Sequence, residues 1–201
     1  MLVGLLPLVL CLCFALPGGA VPVGAAAPPR VRVSALPQQK RASDAYARAH
    51  SAAFVTYARL DNGRLVRVKN AALPDGTETV YRVLMNRQRV VVLVHQEPTR
   101  ESGDWHLTYT HYFTPQGQTF AYERRTSFFN SLCTQTPDDV AHETQVHYYA
   151  AGRRRRQGEY RLVDAEGRAL PQARCQLPYP SPYQPSKTVA EFCRRNKLPL
   201  R

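Results

Sequence analysis

Four consecutive arginines, Arg153, Arg154, Arg155 and Arg156, form the densest run of one chemistry in the chain. Gly152 precedes them, Gln157 and Gly158 follow, and Tyr148, Tyr149 and Tyr160 flank the run. A guanidinium pairs bidentately with phosphate or carboxylate. An aromatic ring beside it offers a sugar or a base a face to stack on. Arg153 to Arg156 with Tyr149 and Tyr160 are therefore the candidate site for a polyanion. The same run at a hairpin tip would also keep an edge strand solvated and guard it against aggregation.

Other chemistries lack a matching pattern. The histidine spacings His106-x4-His111 and His142-x4-His147 put each pair on opposite faces of a strand, so neither pair chelates locally. His111 falls on the apolar face of its segment and reads as a hydrogen-bonded core residue. Cys133 follows a segment that reads as a strand end, and the chain has no G-x-S-x-G elbow. Asp138, Asp139 and Glu143 read as a solvated loop rather than a general-acid pair. No catalytic residue, metal ligand or cofactor is assigned.

Export is read from the start of the chain. Met1 to Leu16 is uncharged and apolar, and Pro17, Gly18, Gly19 and Ala20 follow. The run is too short to span a bilayer core and suits the apolar region of a secretory signal. A signal peptide over 1–20 is expected, cleaved before Val21, with no transmembrane span left in the mature chain. The missing Lys or Arg at the start leaves an interfacial or core helix as the alternative. Leu10 and Leu12 precede Cys11 and Cys13, where a lipid-anchored cysteine would follow a small residue.

Cleavage would leave Cys133, Cys175 and Cys193, and an oxidising compartment would give one pair and one leftover. Cys133 lies before the last hairpin and Cys175 just after it, so Cys133–Cys175 is the expected pair. Cys175–Cys193 is its competitor. The formal net charge is +12. Outside the cytoplasm such a chain meets anionic lipid, lipopolysaccharide, acidic polysaccharide or nucleic acid. An arginine-rich codon bias would produce the same balance.

The elements that would position these groups are strands. Trp105, Leu107, Tyr109, His111 and Phe113 alternate with His106, Thr108, Thr110 and Tyr112, the pattern of an antiparallel strand with one buried side. Residues 114–118, with Pro115 and Gly117, supply a turn to a return strand over 119–126. The same logic pairs 54–60 with 65–68 through Asn62-Gly63, 79–85 with 89–94, and 144–150 with 159–163. The unbroken apolar run Val90 to Val94 belongs in the middle of a sheet.

Residues 21–50 read as a flexible Ala- and Pro-rich leader, and 51–201 as a single domain. Pro171, Pro178, Pro180, Pro182 and Pro185 point to extended chain wrapping the domain. Ser186 then caps a helix over 187–196, with Phe192 and Cys193 on its inner side.

Tyr109…Gly117, Tyr148-Tyr149…Gly152 and Tyr160…Gly167 share an aromatic strand and a glycine turn. This resembles the aromatic–Gly hairpins of bacterial exported proteins with MORN-like or antitoxin-component-like β-repeats. The unequal glycine spacing gives no fixed period. The resemblance implies a β-meander and an interaction module. The expectation is a mainly β, antiparallel meander-type sheet with a Pro-rich C-terminal segment and a short C-terminal helix. Its expected role is a periplasmic or secreted binding or accessory protein of the bacterial envelope. A hydrolase of unrecognised type and a structural envelope protein are the alternatives. A convergent pocket with perturbed acids would favour the enzyme.

Overall fold

A computed structural model describes residues 35–69, 72–99, 105–129, 133, 139–150, 155–173, 175 and 184–200, the side chains of 155–157 excepted. One helix, α1 (Leu36–Ala49), precedes the strands β1 (Val55–Leu60), β2 (Leu65–Val68), β3 (Thr77–Met85) and β4 (Val91–Pro98). They continue as β5 (Trp105–Phe113), β6 (Thr119–Phe129), β7 (Val140–Tyr149) and β8 (Arg155–Val163), and helix α2 (Val189–Asn196) closes the order. The strands form one eight-stranded sheet in the order β2-β1-β3-β4-β5-β6-β7-β8. Every neighbouring pair is antiparallel. The fold is the expected meander.

Local chemistry explains the turns. Gly117 takes φ +72°, and its amide donates to the Thr114 carbonyl at 2.8 Å, closing the β5–β6 hairpin. Between β3 and β4 the Asn86 side chain accepts from the Val90 amide at 2.9 Å. There Arg89, not a glycine, takes the positive φ of 62°. The run Val90–Val94 does lie centrally, since β4 has three strands on one side and four on the other.

Both faces of the sheet are covered around β5, where one buried side was expected. Phe192 and Cys193 of α2 pack with Tyr81, Val83, Val94 and Phe113 on one face. Leu36 of α1 packs with Leu84, Leu93, Tyr112, Phe120 and Val146 on the other. Hence His111 and Tyr112, neighbours pointing opposite ways, are both fully buried. Helix α1 lies inside the segment expected to be a flexible leader, so Leu36–Ala49 is helical instead. The charged residue Lys40 occupies part of its buried stripe, which is why an apolar period is hard to see there.

The cap of α2 differs from expectation. Thr188, not Ser186, accepts from the Glu191 amide at 3.1 Å, and the Glu191 carboxylate accepts from the Lys187 amide at 2.9 Å. Ser186 is buried, and its carbonyl accepts from the Thr119 hydroxyl at 2.7 Å. The Val189 amide also donates to the Gly117 carbonyl at 2.9 Å. The β5–β6 turn thus grips the entrance of α2. The proline-rich stretch 176–183 lies outside the described residues.

Candidate functional site

The last hairpin carries the residues singled out in the sequence. Its register pairs Glu143 with Leu162, Gln145 with Tyr160, His147 with Gly158, and Tyr149 with Arg155. The pairing shifts between Tyr148 and Tyr149, so an extra residue bulges from β8 at its start. Alternation puts Glu143, Gln145, His147 and Tyr149 of β7 on the face that α2 covers further along the sheet. Tyr160 of β8 shares it. Tyr149 packs beside Leu107, Tyr109 and Tyr122 on that face. Tyr160 is 41 % exposed.

The arginine run is not wholly a hairpin tip. Arg155 and Arg156 open β8, whose pairing with β7 already includes Arg155. Arg153 and Arg154 lie outside the described residues. Since β8 ends the sheet order, the two strand arginines sit on an edge strand.

A network fixes Tyr160 in place. Glu143 accepts from Arg124 Nη2 at 2.5 Å and from Gln145 Nε2 at 3.1 Å. The Tyr160 hydroxyl also hydrogen-bonds this carboxylate, and burial followed by the Glu143 charge raises its pKa. Glu143 is therefore the centre of an ordered polar cluster, not a residue of a solvated acidic loop. An open depression of about 460 Å³ lies here, lined by Gln145, His147, Gly158, Glu159, Tyr160 and Gln172. The Glu159 carboxylate accepts from the Tyr148 hydroxyl at 2.9 Å. Tyr148 belongs to the opposite, α1-covered face.

A second polar constellation, not foreseen in the sequence, lies under α1. Lys40 Nζ contacts Asp44 Oδ2 at 2.9 Å and Glu123 Oε2 at 2.5 Å. Arg125 Nε holds the other Glu123 oxygen at 2.5 Å, and the Tyr112 hydroxyl donates to Asp44 at 2.7 Å. The Lys40 ammonium sits 4.8 Å from the Tyr112 ring centroid. The charges neutralise one another and the carboxylate of Glu123 is covered. This arrangement docks α1 on the sheet. The one hint in the sequence was the i,i+4 pair Lys40 and Asp44.

The histidines separate as their spacing requires. His106 is exposed and His111 buried, and His142 meets the Ser127 hydroxyl at 2.9 Å. Burial, followed by Arg195, lowers the pKa of His111 to about 3. Burial, then Arg82 and Arg125, lowers that of His95 to about 4, and His95 Nδ1 lies 2.9 Å from the Thr110 hydroxyl. Among the described residues, no three His, Cys, Asp or Glu side chains converge as a metal site. Asp139 lies at the entrance of β7, and Asp138 lies outside the described residues.

The disulfide joins Cys133 to Cys175, with Cα atoms 5.1 Å apart, as expected from their places around the last hairpin. Cys175 packs with Phe128, Ala141 and Leu162. Cys193 is free and buried against the sheet, and burial raises its thiol pKa. No described helix is long and apolar enough to cross a membrane. No protein-family model, curated protein or solved structure matches this chain.

Proposed function

We propose that the chain is an exported, non-enzymatic binding module of the bacterial envelope that holds an anionic polymer at the β7–β8 end of its sheet. The observation that carries this reading is a juxtaposition. Arg155 and Arg156 open the edge strand β8, and Tyr160 further along it shares a face with Tyr149 of β7. Arginines on a strand that also carries the exposed Tyr160 ring suit a polymer that brings charge and rings together. The Cys133–Cys175 disulfide supports action in an oxidising compartment such as the periplasm or the exterior. The formal net charge of +12 supports attraction to polyanions in general.

Replacing Arg153 to Arg156 by Ser tests the reading. Polyanion binding should weaken steeply with salt, because each neutralised anion releases counterions. The comparison is a variant with Arg64, Arg67, Arg87 and Arg194 changed to Ser, all of them exposed. Arg124 is unsuitable for that comparison because it is bound to Glu143. Equal loss in the two variants would mean that no site exists. Export is tested separately by sequencing the mature amino terminus, expected between about residues 20 and 28.

A further inference from the structure

A row of side chains crosses one face of the sheet and stops at a glycine. The register sets Val94 beside His111, His111 beside Tyr122, Tyr122 beside His147, and His147 beside Gly158. The rings of this row pack on one another. The His111 and Tyr122 centroids are 5.3 Å apart, and those of Tyr122 and His147 are 6.1 Å apart with planes only 2° from parallel. At the next place Gly158 offers bare backbone, and the depression of about 460 Å³ opens over it. Glycine inside a strand weakens the strand and marks a bulge, such as the one just before it in β8, or a place where another group comes close to the backbone. Among the described residues no ring takes the next place in the row, and the depression opens there.

The walls of this space are fixed before any ligand arrives. Tyr160, two residues further along β8, is held through its hydroxyl by Glu143, and Arg124 and Gln145 hold Glu143 in turn. Gln145 and Gln172 contribute amides, which both donate and accept hydrogen bonds, and Glu159, whose carboxylate accepts from the Tyr148 hydroxyl, also lines the space. A saturated ring bearing hydroxyls suits such a lining: its C–H face lies on aromatic groups and its hydroxyls meet the amides.

We propose that this socket seats one pyranose ring of an acidic polysaccharide, which completes the row beside His147 and lies against Tyr160. The proposal rests on the anionic-polymer reading above and adds the chemistry of the repeating unit. From Gly158 back to Arg155 is about 10 Å along the strand, so a short oligomer seated at the socket reaches the arginine end. A nucleic-acid strand fits less well. Grooves for single strands repeat aromatic platforms base after base, and this row leaves a single place open among the described residues.

The full chain is titrated at fixed salt with heparin oligosaccharides, polyphosphate and single-stranded DNA. Heparin carries charge on pyranose rings, polyphosphate carries charge without rings, and DNA carries rings that are bases. The variants are Gly158→Leu, which fills the socket, and Tyr160→Ala, which removes one wall should the first fail to fold. Circular dichroism confirms folding of each. The unmodified chain should prefer heparin to polyphosphate at equal charge by about tenfold, the size of a single good ring contact. Each variant should bring that ratio near one. A ratio that survives in both folded variants overturns the proposal, as does tighter binding of DNA than of heparin. Equal binding of all three polymers leaves the anionic-polymer reading standing and removes the pyranose socket. Failure to bind any of them removes both.

Discussion

Lys40 Nζ lies 2.5 Å from Glu123 Oε2, with the two side chains only 9 % and 3 % exposed, so an ion pair from separate elements clamps α1 to the sheet. Burying both charges costs desolvation, and their pairing offsets that cost only while both are present. Glu123→Gln should therefore leave Lys40 with Asp44 alone and Arg125 without its partner. A loss of about 3 kcal/mol is expected, with α1 loosened first. Changing both residues, as Lys40→Met with Glu123→Leu, should recover most of it. Urea unfolding of Lys40→Met, Glu123→Leu and the double variant measures the coupling. Additive losses would show that the pair does not act as a unit.

The disulfide should stabilise the folded chain by constraining the unfolded one. It closes a sequence separation of 42 residues, for which the chain-entropy model gives about 4 kcal/mol. Replacing Cys133 and Cys175 by Ser should lower Tm by a correspondingly large step. Peptide mapping without reductant should recover the Cys133–Cys175 link. The Cys193 thiol, buried and with a raised pKa, should react with maleimide only when the protein unfolds. Rapid labelling of Cys193 in the native protein would contradict the packing of α2.

Acid should destabilise the fold through two imidazoles. The folded pKa values of His95 and His111 are lowered to about 4 and about 3 from an ordinary 6.5. The unfolded chain binds these protons first. Their contribution is thus fully present above about pH 6.5 and is lost as the pH falls toward 4 and then 3. Each imidazole gives a slope of about 1.4 kcal/mol per pH unit within its window. His111→Phe, placed among Phe113, Tyr122 and Phe192, should keep the fold at pH 7 and remove one share of the slope. Denaturation at pH 7, 5.5 and 4.5 reads this out. Unchanged acid sensitivity in the variant would refute the assignment to His111.

Two residues at the joint between hairpin and helix give separable effects. Thr188→Ala removes the cap of α2 and should cost about 1 kcal/mol. Gly117→Ala forces a side chain onto a backbone at φ +72°, and its Cβ would meet Val189 at 3.7 Å, an ordinary contact. The space tolerates the methyl, so the cost of about 1–2 kcal/mol would come from the backbone. Calorimetry should find both variants folded, with lower Tm values. Ser186→Ala leaves the backbone carbonyl that meets Thr119 in place, and should cost less than Thr188→Ala.

The sheet was legible in the sequence because each hairpin states its own turn and its own alternation. Asn62-Gly63, Pro115 to Gly117, and the alternating Trp105 to Phe113 are local signals, and the strands follow them. The pairing of Cys133 with Cys175 was legible for the same reason, since the meander puts the two ends of the last hairpin close together. Helix α1 was not legible. It has no side-chain cap, and its buried stripe runs through Lys40. Asp44 is local, but Glu123 and the Tyr112 ring lie far along the chain, so no local window contains the full reason for the burial of that lysine. The polar cluster around Glu143 was hidden likewise, because Arg124 and Tyr160 come from strands on either side of β7.

Each face of the sheet is completed by a different end of the chain. The strands pair with near neighbours in sequence, contacts that form early because little loop entropy is lost. The helices close over much greater separations: Tyr112 reaches Asp44 across 68 residues, and Tyr81 reaches Asn196 across 115. The meander can therefore assemble hairpin by hairpin as the chain emerges, while the face under Phe192 waits for the final segment. Until α2 arrives, Tyr81, Val83, Val94 and Phe113 form an apolar surface open to other molecules. A chain cut short before residue 189 would keep its strands and aggregate through that surface.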